Sequence, residues 1–141
     1  GLAAGDRKFG VGANVLWPAV PETDMDYSVS GTDEIDSVVP EEFGGMWFFR
    51  DALGCENLGM SLLELEPGGK GKPHDRSEED HEEVYLVVDG ELTVELGDEE
   101  GSFESEETLA AGEAIRVDAD TWRRLENGGD ERVRVAIAGA P

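Results

Sequence analysis

Hydrophobic residues fall into short runs, not into long amphipathic stripes. From Met46 onward, segments rich in Val, Leu, Ile and aromatic side chains are separated by Gly, Pro, Asp or Asn. These runs predict strands at 46–50, 58–66, 83–88, 91–96, 102–108, 114–117, 121–127 and 132–138. No segment sustains the 3.6-residue period of a helix. Short strands at regular spacing with turn residues between them predict an all-β sandwich or barrel. Residues 1–45 have a different texture, with Pro18, Pro21, Pro40, several glycines and scattered acids. They predict an irregular N-terminal arm or long loop, followed by a β-barrel over 46–141.

The sharpest local pattern is Val84-Tyr85-Leu86-Val87-Val88, Asp89-Gly90, Glu91-Leu92-Thr93-Val94-Glu95-Leu96. Asp-Gly between two apolar runs predicts a two-residue hairpin turn with positive φ. In that hairpin Val87 faces Leu92, Tyr85 faces Val94 and Glu83 faces Leu96. Leu92, Val94 and Leu96 share one face, which must point inward. Glu83, Tyr85 and Val87 then point inward as well, and His81 joins them if the strand extends two residues back. A buried carboxylate without a partner costs several kcal/mol. The pattern therefore requires a metal, a cation or a bound ligand beside Glu83.

Charge narrows the possible partners. The 141 residues carry 34 acidic and 11 basic side chains, a net charge of −23. Such a surface repels nucleic-acid phosphates and anionic lipid headgroups, so neither nucleic acid nor membrane is an expected partner. Lysine occurs only at Lys8, Lys70 and Lys72, and the other eight bases are arginine. Acid excess with scarce lysine resembles proteins of salt-loving microbes, in which molar salt shortens electrostatic screening to roughly 3 Å. The single Cys55 allows no internal disulfide, which fits a cytoplasmic location. No stretch approaches the roughly 20 apolar residues that cross a bilayer, and residues 1–12 lack the apolar centre of a signal peptide.

Two spaced motifs carry a resemblance. Gly68, five residues, His74, one residue, Arg76, six residues, Glu83, six residues, Gly90 parallels glycine, five residues, His-x-His, three or four residues, Glu, six residues, Gly. Gly112, Asp118, Asp120, Arg123 and Asn127 follow Gly, five residues, Pro-x-Gly, two residues, His, three residues, Asn. Together they resemble the two motifs of the cupin family over about residues 58–137. The resemblance implies a single jelly-roll β-barrel whose usual metal ligands are three histidines and a glutamate. This chain keeps His74 and Glu83. Arg76 and Arg123 stand at the other two ligand positions, and a guanidinium has no lone pair for a metal. Asp118 and Asp120 replace the usual proline and glycine.

Two readings of the site stay open. The gap before Glu83 is longer than the family spacing, so His74, His81 and Glu83 could form a two-histidine, one-carboxylate set for iron, manganese, nickel or zinc. Alternatively Arg123 replaces the metal. It shares strand parity with Thr121, Leu125 and Asn127, and its guanidinium could meet Glu83 through two parallel hydrogen bonds or anchor an anionic ligand. Arg124, of opposite parity, is expected in solvent. Tyr85 is a pocket wall with a hydroxyl handle. Trp17, Trp47 and Trp122 are expected in the core or a dimer contact, and Met46 and Met60 as strand fillers. Gly68-Gly69-Lys70-Gly71-Lys72 lacks phosphate-loop spacing and reads as a glycine-rich turn. The acidic run 77–83 reads as solvated surface. With two histidines and Cys55 in a turn, no nucleophilic triad is available.

Cupins host many chemistries, so the fold alone does not select one. The first expectation is a binder of a small polar or anionic metabolite, using Glu83, Tyr85, Arg123 and Arg76. The second is a metal-dependent oxygenase or sugar isomerase using His74, His81 and Glu83. The third is a regulatory or structural homodimer in which the arm from about residue 15 to 39 crosses to a partner barrel.

Overall fold

The computed structural model describes residues 25–141. Among these residues eight strands are present: β1 (Gly44–Phe48), β2 (Gly59–Leu65), β3 (Glu82–Asp89), β4 (Glu91–Gly97), β5 (Ser105–Ala110), β6 (Ala114–Val117), β7 (Trp122–Glu126) and β8 (Val133–Ala140). Each answers to a predicted run, with ends moved by at most a few residues. A single helical turn, α1 (Arg50–Leu53), occupies the gap after β1. Residues 25–43 carry no strand or α-helix, only 3-10 turns at Thr32–Glu34 and Glu41–Phe43. Trp17 and the first part of the arm expected to cross to a partner, 15–24, lie outside the described residues.

The strands form a five-stranded sheet in the order β1-β2-β8-β3-β6 and a three-stranded sheet in the order β5-β4-β7, all pairs antiparallel. This is the jelly-roll arrangement. Alternation fills the space between the sheets. Leu63, Leu65, Tyr85, Val87, Val133, Val135 and Ile137 project from the larger sheet towards Leu92, Val94 and Leu125 of the smaller. Each fully buried aliphatic side chain contributes about 1.5–3 kcal/mol relative to exposure.

The predicted β3–β4 hairpin is not formed. β3 lies between β8 and β6, whereas β4 lies between β5 and β7. Asp89-Gly90 is a corner between sheets. Gly90 alone takes positive φ there, at +84°, and a Cβ on it would stand 2.9 Å from the Arg132 carbonyl oxygen. A register irregularity between Val87 and Asp89 accompanies the corner, and an irregularity of this kind bends a strand. The inward faces survive this correction because they depend on alternation, not on the partner. Glu83, Tyr85 and Val87 are all buried.

Residues 68–76 extend the smaller sheet along the free edge of β7. Backbone N–H groups of Gly68, Gly71, His74 and Arg76 donate to carbonyls of Asn127, Leu125, Arg123 and Ala119. The N–H groups of Arg123 and Asn127 donate back to the carbonyls of His74 and Gly69. Asn127 locks the end of this seam. Its fully buried amide donates to the carbonyls of Leu65 (2.9 Å) and Glu131 (2.8 Å), and its oxygen accepts from the N–H of Gly129 (3.0 Å). Asn127→Ala leaves two carbonyls and one N–H without these partners, at about 1–3 kcal/mol each if no water replaces them. Urea unfolding is therefore expected to show a loss of about 2–4 kcal/mol, whereas substitution of exposed Asp130 leaves stability nearly unchanged.

Candidate functional site

Glu83 sits at one end of the barrel interior, on the inner face of β3, with only 7% of its surface exposed. Its register partners are Val117 on β6 and Gly139 on β8. A Cβ at Gly139 would stand 3.3 Å from the Glu83 Cγ, so this glycine clears the space the carboxylate occupies. Nothing in the hydropathy pattern singles out Gly139.

Four side chains converge on the carboxylate. The Tyr85 hydroxyl, two residues along the same face, donates to Oε1 at 2.5 Å. Arg123, on β7 across the barrel and 0% exposed, brings Nη1 to 3.5 Å from the same oxygen. Arg76 donates from Nε to Oε2 at 3.1 Å. His74 Nε2 stands 3.9 Å from Oε1, while its Nδ1 faces the Lys72 carbonyl at 3.3 Å. Burial raises the Glu83 pKa. Nearby His74, the Tyr85 hydrogen bond and the charges of Arg76 and Arg123 outweigh it, and together they bring the pKa down from 4.5 to about 2. Tyr85 moves the other way: burial and the adjacent carboxylate push its hydroxyl above the ordinary phenol range.

Arg123 does not make the two parallel bonds anticipated for it. Its second amino group, Nη2, donates instead to the Asp118 carbonyl at 2.5 Å, and its buried Nε has no hydrogen-bond partner. Arg76 supplies the better bond to Glu83 and also approaches Glu79 at 3.6 Å. Asp118, at the usual proline position, accepts from the Thr121 N–H (3.0 Å) and Oγ1 (2.5 Å), which shapes the turn into β7. Those bonds, the hydroxyl's foremost, hold the Asp118 carboxyl below its usual range. Arg124 is not loose in solvent. Its Nε donates to Glu95 at 2.7 Å, and its guanidinium lies 5.0 Å from the Phe103 ring centroid.

The set His74, His81 and Glu83 is not assembled. β3 begins at Glu82, so the alternation that aligned His81 with Glu83 does not reach it. The N–H of His81 instead faces the Arg76 carbonyl, closing the turn over 76–81. Among the described residues no group of three His, Cys, Asp or Glu side chains could hold a metal ion. Both Glu83 oxygens are already engaged, and the two ligand positions taken by Arg76 and Arg123 carry positive charge. The residues present therefore do not fit a divalent metal.

Two cavities meet at Glu83 and Arg76. The larger, about 870 Å³, runs under the strap Val38–Val39–Pro40 and Phe43, between Leu63, Leu65, Leu125 and Ile137, to the Glu83–Tyr85 end. Its size lies in the range of small-molecule sites. The smaller, about 340 Å³, opens beside Arg50, Asp51, Glu79 and His81. Trp47 and Trp122 line neither cavity.

The low pKa of Glu83 has a consequence with a definite sign. A carboxylate whose folded pKa is depressed stabilises the fold above its unfolded pKa and loses that contribution as pH falls towards the folded value. Glu83→Gln is expected to cost about 3 kcal/mol near pH 7. Denaturant titrations of both proteins should show this difference shrinking below about pH 4.5 and nearly vanishing near pH 2.

Comparison with known proteins agrees with the architecture. No curated protein matches the sequence. Among solved structures, one from Bacillus halodurans is 20% identical, with a TM-score of 0.56, and covers 60% of this chain and 63% of its own. A Thermus thermophilus protein is 22% identical, with a TM-score of 0.61, and covers 81% of this chain and 97% of its own. The oxalate decarboxylase of Lactobacillus farciminis, solved as a formate complex, is 18% identical, with a TM-score of 0.65. It covers 77% of this chain, which in turn spans only 31% of that enzyme. At these identities the likeness is one of fold. The model of the cupin domain matches residues 61–138, more than half of the sequence and every side chain that meets the Glu83 carboxylate. The chain belongs to the cupin family.

Proposed function

We propose that this cupin binds a small molecule in its larger cavity without a metal. The observation that carries this reading is the state of Glu83. Tyr85, Arg76, Arg123 and His74 already surround it, and the two arginines stand where the family motif has metal-ligating histidines. Breaking such a cluster to free Glu83 for a metal would strand the buried Arg123 guanidinium, a loss of several kcal/mol. In this reading Glu83, Tyr85, Arg76 and Arg123 form the polar end wall of a binding site. No residue is assigned a catalytic step. Metal titration tests it. Manganese, nickel, zinc or iron(II) added to the chelator-treated protein should leave the melting temperature unchanged. The double substitution Arg76→His with Arg123→His should create metal-dependent stabilisation. A stoichiometric metal retained by the unaltered protein, with a raised melting temperature, would overturn the proposal.

A second reading, compatible with the first, is a homodimer. It is favoured by the outer face of the five-stranded sheet. The register aligns Trp47, Leu62, Ala136, Leu86 and Ala114 in one row across all five strands, and Met60, Ala138 and Val84 in the next. Leu86 is 40% exposed and Val88 46%. The face is bordered by paired charges: Arg116 with Glu82 at 3.2 Å, and Arg134 with Glu64 at 2.9 Å. A second copy of a chain with net charge −23 can approach only where acids are sparse or neutralised, and this face meets that condition. Light scattering should give a dimer mass, and Leu86→Glu should convert it to monomer with its circular dichroism unchanged. A monomeric unaltered protein would exclude this reading.

A further inference from the structure

The segment Lys70-Gly71-Lys72-Pro73-His74-Asp75-Arg76 follows the edge of β7 through two bridges, Lys70 opposite Glu126 and His74 opposite Arg123, with one more residue between them on this segment than on β7. Lys70, Lys72, His74 and Arg76 all line the larger cavity, together with Gly68, Gly69 and Gly71. Two of the three lysines in the whole chain thus stand along one edge of this cavity, Lys70 at the outer end opposite Glu126, with an imidazole and a guanidinium further along the same segment, a cationic rail. Lys70 lies 3.8 Å from Glu126, a long and half-exposed pairing that leaves its head in reach of solvent.

Among the described residues Glu83 is the one acidic residue lining this cavity, and it is held by Arg76 and by Arg123 behind it. The cavity is therefore a local positive field in a strongly negative molecule. Beyond the rail the walls are apolar: Phe43, Met46, Leu63, Leu65, Leu125 and Ile137. The adjoining smaller cavity has the opposite character, because Asp51 and Glu79 join Glu83 in its lining.

We infer that the larger cavity takes an amphipathic anion, whose carboxylate or similar head meets the rail Lys70–Lys72–His74–Arg76 and whose apolar body lies between Leu63, Leu65 and Leu125. The inference rests on the reading that this cavity binds a small molecule, and it adds the chemical class. A low-dielectric wall strengthens attraction to the rail, and a charge-assisted contact there also fixes the orientation of the body. A purely polar anion wastes the apolar wall, and a neutral apolar molecule leaves the rail solvated.

Calorimetric titration with octanoate, 1-octanol and acetate separates the possibilities, in salt at which the protein is folded. Octanoate should bind one per chain, 1-octanol roughly tenfold or more weakly, and acetate not measurably. Lys70→Gln with Lys72→Gln, both on exposed side chains, should weaken octanoate roughly tenfold and leave 1-octanol unchanged. Equal binding of octanoate and 1-octanol would overturn the anionic head while leaving the binding function intact. Equal binding of acetate and octanoate would overturn the apolar body in the same way. If none of the three bound, both this inference and the binding function would fall. An octanoate site indifferent to the lysine substitutions would overturn the rail.

Discussion

One buried carboxylate organises this molecule. Glu83 lies where β3, β8 and β6 come together, and its side chain fills space left by Gly139. Arg123 reaches it from the opposite sheet and Arg76 from the segment lining β7. The ion cluster is therefore also a clasp between the two layers of the barrel. Burying these charges is costly, and only their mutual satisfaction makes the arrangement tolerable. The unpartnered Nε of Arg123 shows that the satisfaction is incomplete.

The strands were legible because each is short, apolar and bounded by turn residues. The inward faces of β3, β4 and β7 were legible because alternation does not depend on which strand lies alongside. Pairing does depend on it. Asp89-Gly90 satisfies the local chemistry of a hairpin, yet the chain turns there into the other sheet. That choice is made by burying Tyr85 and Val87 against Ile137, Val133 and Val135, contacts far away in sequence. His81 shows the limit of parity itself: extrapolating two residues beyond the start of a strand placed it in a cluster it does not join.

The rest of the site was hidden for related reasons. Gly139 matters through the space it leaves, and no sequence period registers an absence of atoms. Arg124 was expected to be free because its parity points outward, but outward on this sheet means towards Glu95 and Phe103. The lysine pair in the glycine-rich turn reads as ordinary punctuation until residues 68–76 are seen to run as a strand-like edge. Once they do, a loop composition becomes a charged edge of the cavity whose other walls are apolar.

The order of the larger sheet also bears on how the barrel forms. β8 lies at its centre, bonded to β2 on one side and β3 on the other. Until residues 133–140 have left the ribosome, β1–β2 and β3–β6 have no common neighbour in that sheet to join them. Most of the barrel must therefore wait for its last strand, and folding governed by such distant pairings is slow relative to that of locally connected domains. During that interval the apolar sides of β2 and β3 stand uncovered, and the dense negative charge of the chain would then keep neighbouring nascent copies apart.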